Sequence, residues 1–170
     1  MSPAARAWAL AAGLCGFILV ADQVAKGVVE DQLVVGQRIE VLGPLELTLA
    51  HNNGVAFGLA GGAGVGLVLV TLVALGVVAY LFSRNPTRPG MWVAVGLVAG
   101  GALGNLIDRI RADHVTDFIH IGSWPAFNLA DVSISAGVIL LVLLYLRDAE
   151  AQDRDDAPER REEAGEASGG

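Results

Sequence analysis

The chain has one cysteine and few charged residues, and each shortage excludes a class of protein. Cys15 alone cannot form an internal disulfide framework, and no cysteine pairs exist for a zinc site. Only 17% of the 170 residues are charged, and 18 acids against 11 bases give a net charge of -7, unlike a basic nucleic-acid-binding surface. A disordered chain would be poor in hydrophobic residues, whereas here they make up 54% and the mean hydropathy is +0.56. The composition therefore indicates a small integral membrane protein with an acidic segment.

Long stretches without charge predict four transmembrane helices. A helix needs about 20 apolar residues to cross a hydrocarbon core of about 30 Å. The first and fourth stretches reach this length only if Asp22 and Asp131 lie within the span or at its edge. The predicted helices cover about residues 7–26, 61–82, 89–108 and 128–146. The expected fold is an all-α membrane protein.

The first apolar stretch also fits a cleaved signal peptide, because Arg6 precedes it and polar residues follow. No convincing small-residue cleavage site precedes Asp22, and three further apolar stretches follow. The stretch is therefore predicted to remain as the first membrane helix.

The placement of lysine and arginine near the helix ends predicts the orientation in the membrane. Seven arginines fall on one side, namely Arg6, Arg84, Arg88, Arg147, Arg154, Arg160 and Arg161. Four basic residues fall on the other side, namely Lys26, Arg38, Arg109 and Arg111. Both termini are therefore expected in the cytoplasm, with residues 27–60 and 111–126 facing outward.

Two segments outside the helices have distinct compositions. Residues 37–52 alternate in part around Gly43-Pro44, which predicts two short strands, and a small outer sheet, between helices 1 and 2. That sheet could hold an extended peptide by strand addition, or it could merely cap the helices. Residues 147–170 carry nine acids and four arginines with few hydrophobic residues, which predicts a disordered cytoplasmic tail after a membrane domain over residues 1–146.

Several acids lie at a depth where a membrane helix normally has none. Asp22 follows Arg6 by 16 residues, and Asp131 precedes Arg147 by 16 residues. At about 1.5 Å per residue, both acids lie roughly 24 Å from the cytoplasmic flank. Asp108 lies in the same outer layer, at the end of its helix. A charge there is costly unless it is paired or hydrated, so this layer is predicted to be functional.

Asp117 and Asp131 are the least neutralised of these acids, because neither has a cationic residue within four positions. Two carboxyl groups that share a poorly solvated place cannot both ionise easily, so one keeps its proton. Aspartic proteolysis requires this state: one carboxylate takes a proton from water while the other polarises the scissile carbonyl. The remaining acids have local partners that also allow a structural role, namely Asp22 with Lys26 and Asp108 with Asn105 and Arg109.

Other chemistries find less support in the sequence. The three histidines, among them His120, lack metal-ligand spacing, and no serine lies in a GxSxG-like turn. An ion-coupled transporter could use Asp22, Asp108 and Asp131 as a relay, but a relay needs acids at graded depths. A non-enzymatic membrane chaperone is a third alternative.

Five short motifs occur in a fixed order along the chain. They are Asp22-Gln23-Val24-Ala25-Lys26, His51-Asn52-Asn53-Gly54-Val55-Ala56-Phe57, Gly104-Asn105-Leu106-Ile107-Asp108-Arg109, Val115-Thr116-Asp117-Phe118 and Phe127-Asn128-Leu129-Ala130-Asp131. Together they resemble the bacterial lipoprotein signal peptidases, also called signal peptidase II. The resemblance runs from about residue 8 to 146 and covers all four predicted spans.

The resemblance implies an aspartic endopeptidase of the inner membrane, with its active site near the outer face. It would cut the signal peptide from prolipoproteins immediately before a cysteine that carries diacylglycerol. Asp117 and Asp131 would be the catalytic dyad. Pocket-lining or dyad-supporting roles would fall to Asn52, Gly54, Asn105, Asp108, Arg109, Asn128 and Ala130, and structural or positioning roles to Asp22, Lys26 and Phe57. Prolipoproteins and membrane lipids are the expected partners, with no metal or organic cofactor and a monomeric enzyme.

Overall fold

The computed structural model describes the backbone of residues 1–54 and 63–167 and the side chains of residues 1–54 and 65–150. The elements are α1 (Pro3–Gln32), β1 (Arg38–Leu42), β2 (Leu45–Asn52), α2 (Ala63–Arg84), α3 (Met91–Ala112), β3 (Val115–Ile121) and α4 (Leu129–Ala167). Phe57 lies outside the described residues, so its predicted role stays a prediction.

Four helices are long and apolar enough to cross a membrane, which confirms the predicted number of spans. The first runs from Pro3 to Gln32 and is longer than its predicted range. Its start is set by Ser2, whose side-chain oxygen accepts a hydrogen bond from the backbone N–H of Ala5 at 3.2 Å. Its 30 residues extend to about 45 Å, so the last turns reach beyond a hydrocarbon core.

The last helix extends past its predicted end, and the disorder of residues 147–170 stays a prediction. In the structure α4 continues through Ala167, whereas the sequence predicted that the helix ends at residue 146. Five alanines and five glutamates between residues 147 and 167 favour a helix, whereas Pro158 and four aspartates in the same segment oppose it.

Helix α3 is the centre of the bundle and packs against the three other helices. Two clusters of buried side chains mark the ends of the bundle. One contains Ala7, Ala11, Phe82, Met91 and Val95. The other contains Val29, Leu33, Leu49 and Phe118 and joins the helices to a β-sheet, so we call this the sheet end.

The sheet has three antiparallel strands in the order β1-β2-β3. The predicted hairpin is present, with Leu42 paired to Leu45 and Gly43 at a φ of 56° in the turn. The third strand, Val115–Ile121, comes from between α3 and α4, and the sequence did not predict it. Because β3 pairs with β2, it ties the second half of the chain to the first.

Candidate active site

Asp117 lies on β3 and is 2% exposed. Its two carboxylate oxygens accept hydrogen bonds from two different amides. The side-chain nitrogen of Asn52, at the end of β2, donates to Oδ2 at 3.1 Å. The side-chain nitrogen of Asn128 donates to Oδ1 at 2.7 Å. The strand pairing thus brings Asn52 and Asp117 together, although 64 residues separate them in the chain.

Asp131 lies in the first turn of α4, where it takes part in a helix cap. The side-chain oxygen of Asn128 accepts from the backbone N–H of Asp131 at 2.9 Å. In return, Oδ2 of Asp131 accepts from the backbone N–H of Asn128 at 3.3 Å. This reciprocal arrangement is a capping box, which fixes the Asp131 carboxylate against the helix start.

The two acids meet at Asn128, which is fully buried. Asn128 contacts Asp117 through its amide and Asp131 through both its amide and its backbone. Asn105 adds a donor on the other side, because its side-chain nitrogen lies 2.7 Å from Oδ1 of Asp131. The structure therefore brings together Asp117 and Asp131, as the sequence predicted, with three asparagines around them.

Behind the acids lies a buried cation, Lys26, which is 3% exposed. Its ammonium group lies 2.7 Å from Asp22 and 2.6 Å from Asp108. It also donates to the side-chain oxygen of Asn105 at 3.0 Å. The predicted pairing of Asp22 with Lys26 is confirmed. Asp108 has its ion pair with Lys26 of another helix, rather than with the neighbouring Arg109.

Asp22 also reaches the start of α4. Its Oδ1 accepts from the backbone N–H of Ala130 at 2.9 Å, so a carboxylate of α1 satisfies one of the free donors at this helix N-terminus. Ala130 is fully buried and faces Gly104, where an added Cβ would lie 3.6 Å from the Ala130 Cβ and 2.6 Å from Asp22 Oδ2. The small residues let α1, α3 and α4 converge here.

The surroundings of Asp117 raise the pKa of its carboxyl above the ordinary value. The pKa of its carboxyl is raised from 3.8 to about 6, mainly by burial and further by the charge of the neighbouring Asp131. Hydrogen bonds from Asn52 and Asn128 and the charge of Lys26 lower this pKa, but together they do not offset burial. Asp117 is thus a carboxyl group that holds its proton to an unusually high pH.

Comparison with known proteins identifies the family. Residues 14–147 match the family model for signal peptidase (SPase) II. The chain belongs to this family. It is 38% identical over 138 residues to the lipoprotein signal peptidase of Dehalococcoides mccartyi, covering 78% of this chain and 84% of that one. It is 40% identical over 140 residues to the enzyme of the same name from Moorella thermoacetica, covering 81% and 93%.

A solved structure agrees with this assignment. The fold superposes on a bacterial membrane enzyme determined by the in meso method at 1.9 Å resolution, with a TM-score of 0.77 and 34% sequence identity. The match covers 81% of this chain and 93% of that chain. The protein is therefore a multi-pass membrane peptidase of the signal peptidase II family, which removes signal peptides from prolipoproteins.

Three further residues, Arg109, Gly54 and His120, make no hydrogen bond to Asp117 or Asp131 within the part of the chain that the structure describes. Arg109 donates to the backbone carbonyl of Asn105 at 3.2 Å and approaches the site only through that residue. Gly54 forms a turn with a φ of 68°, and its N–H donates to the side-chain oxygen of Asn52 at 3.0 Å. His120 contacts Glu46 on the sheet at 3.1 Å. Within the described residues, no group of three or more candidate ligands could hold a metal ion.

Two features of the site were not recognised from the sequence. Gln23 donates to Oδ1 of Asp108 at 2.8 Å and so links α1 to α3 next to Lys26. Its position three residues before Lys26, on the same face of the helix, was the available signal. The capping role of Asn128 was also readable, because Asn-x-x-Asp before an apolar run is a helix-start pattern.

Proposed function

We propose that this chain is an aspartic endopeptidase whose catalytic groups are Asp117 and Asp131. Its substrate is a diacylglyceryl-modified prolipoprotein, and the bond cut is the one before the lipid-modified cysteine. The observation that supports this proposal is the junction at Asn128, a buried residue that donates to the Asp117 carboxylate through its side-chain amide and to the Asp131 carboxylate through its backbone N–H. Membership in the signal peptidase II family supplies the substrate class.

The reaction needs only water and the two carboxyl groups. Asp131 takes a proton from a water molecule, whose oxygen attacks the scissile carbonyl. Asp117, protonated, donates a hydrogen bond to the carbonyl oxygen and stabilises the negative charge that develops there. The proton held by Asp131 then passes to the departing nitrogen, so that the products are a signal-peptide carboxylate and a free amine on the lipidated cysteine.

The proposed location follows from the substrate and from the placement of basic residues. A signal peptide spans the membrane, and the acyl chains on its cysteine stay in lipid, so cleavage takes place at the bilayer boundary. We place the sheet end at the outer face of the bacterial inner membrane, with both termini in the cytoplasm. One chain supplies both carboxyl groups and all their described donors, so we propose that the monomer is sufficient.

The test is cleavage of a purified diacylglyceryl-modified prolipoprotein by the protein in proteoliposomes. Asp117→Asn and Asp131→Asn are each expected to lower kcat/KM by at least about 10³-fold, because each removes one of two proton-transfer groups. The matched control is Asp31→Asn, the same change at an exposed position near the end of α1, which is expected to keep wild-type activity.

Full turnover by either dyad variant would refute the assignment of the catalytic residues. Failure of the wild-type protein to cleave any lipid-modified precursor, in vesicles where it is folded, would instead favour the membrane chaperone and refute the activity itself.

A further inference from the structure

A cavity lies at the end of the bundle opposite the sheet end. It has a volume of about 330 Å³ and is bounded by the start of α1, the connection between α2 and α3, and the first turn of α3. Its lining includes Arg6, Thr87, Arg88 and Trp92, with Leu10 as an aliphatic residue. None of these residues belongs to the acid site or to the family motifs.

Arg88 is held in a fixed orientation at this cavity. Its guanidinium donates to the backbone carbonyl of Leu144 and to Oδ1 of Asp148, the latter at 2.8 Å. It also lies 5.0 Å from the ring centre of Tyr145, in cation–π geometry. Because α4 positions this side chain, which is only 14% exposed, little side-chain freedom remains to be lost on binding a ligand.

The charge around the cavity is positive. Arg6 and Arg88 line it, while Asp148 is the one acid paired with Arg88 among the side chains that the structure describes. Arg6 is exposed and forms no ion pair within that described set. Two arginines and a threonine that line one cavity supply donors of the kind that bind phosphate oxygens.

The surroundings of the cavity place it at the level of lipid headgroups. Trp8 and Phe82 contact each other with ring centres 4.6 Å apart, and Tyr145 is 43% exposed at the same end of the bundle. Aromatic residues of this kind concentrate at the membrane–water interface. Leu10, one helical turn deeper along α1 than Arg6, is 40% exposed and offers an apolar surface below the cations.

We propose that this cavity binds the phosphate of an anionic phospholipid from the leaflet on the side of the two termini. Arg6 and Arg88 hold the phosphate, Thr87 donates to it, and the acyl chains lie along α1 past Leu10. Basic pockets between transmembrane helices bind such headgroups in other membrane proteins. The site is separate from the two acids, so its occupancy does not depend on the proposed catalytic mechanism.

The test is a titration of the delipidated, full-length protein with phosphatidylglycerol or phosphatidylcholine, with bound lipid counted by native mass spectrometry. Phosphatidylglycerol is expected to bind more tightly than phosphatidylcholine, and Arg6→Gln to weaken that binding about fivefold or more. Arg111→Gln is the matched control, because it removes the same charge from an exposed position at the sheet end and is expected to change nothing.

Three results would overturn the proposal. One is equal affinity for the two lipids, and another is binding that Arg6→Gln leaves unchanged. The third is displacement of phosphatidylglycerol by inorganic phosphate at comparable concentration, because it would assign the cavity to free phosphate and not to lipid. Thermal unfolding of Arg6→Gln, compared with the wild type without lipid, verifies that the variant is folded.

Discussion

Three asparagine side chains surround Asp117 and Asp131. The orientation of each is fixed because its amide oxygen accepts from a group that can only donate a hydrogen bond. The Asn52 oxygen accepts from a backbone N–H, that of Gly54, and the Asn128 oxygen from that of Asp131. The Asn105 oxygen accepts from the ammonium of Lys26. Each amide nitrogen must therefore face a carboxylate. In this way Lys26 acts on the site by fixing Asn105, without touching either acid.

Asn52→Ala tests this control of the proton on Asp117. The amide lowers the pKa of Asp117, so its removal raises that pKa further above 6. Cleavage requires the protonated carboxyl and is lost as pH rises through this pKa. The basic limb of kcat/KM against pH is therefore expected to move upward by about one unit. Asn53→Ala, a change at the exposed neighbour, is expected to leave the limb in place. A downward shift, or none, contradicts the assignment.

The position of a residue in the site could be predicted from the sequence where it depends only on distance along a helix. It could not be predicted where it depends on how two helices pack. Depth along the helices put Asp22 and Asp131 at one height, and the contact of Asp22 with the Ala130 N–H confirms it. The ion pair of Lys26 with Asp108 was not predicted, because it depends on how α1 and α3 are rotated against each other. The rotation of each helix about its axis is set by side-chain packing, and the spacing of charged residues along the chain gives no information about that packing.

Helix α3 approaches its neighbours through glycines on two faces. An added Cβ at Gly100 would lie 2.8 Å from the backbone oxygen of Cys15 in α1. At Gly101 it would collide with the backbone oxygen of Ala130 in α4. Close packing of this kind replaces the hydrophobic driving force that helices lack inside a bilayer. The position of the first turn of α4, and with it Asp131, therefore depends on Gly101.

Gly101→Val is expected to destabilise the bundle by about 1–3 kcal/mol and to reduce cleavage, because it pushes the start of α4 away from α3. Gly76→Val is the control, since Gly76 is exposed on α2 and an added Cβ there meets nothing within 4 Å. The measurements are the thermal midpoint in detergent and the cleavage rate. Equal midpoints for the two variants would show that α3 and α4 do not need this close approach.

The strand that carries Asp117 was the element hardest to predict. In Val115–Ile121, apolar residues fall on both sides of the strand, with Phe118 on one and Ile119 on the other, so no clear alternation is present. Both sides are partly covered, because Phe118 belongs to the core at the sheet end and Ile119 packs against it. The hairpin of β1 and β2 was predictable because its turn residues lie between two local strands.

Across the whole molecule, the two ends of the bundle have different chemistry. The sheet end collects Asp22, Asp108, Asp117 and Asp131 around one lysine. The opposite end collects arginines and aromatic residues around the cavity near Arg6. Since Lys26 is buried inside the bundle, fewer basic residues face water at the sheet end than the sequence count suggested. The bias of arginine toward the opposite end is correspondingly stronger.

This asymmetry predicts the orientation, and the single native cysteine makes the measurement direct. In a Cys15→Ala background, Glu40→Cys places an exposed thiol on β1, and Asn85→Cys places one between α2 and α3. Because arginine-rich ends stay in the cytoplasm, a membrane-impermeant maleimide is expected to label Glu40→Cys in intact bacterial spheroplasts. Asn85→Cys should react only after the membrane is permeabilised. The reverse pattern would put the two acids on the cytoplasmic side, where an exported precursor does not present its lipidated cysteine.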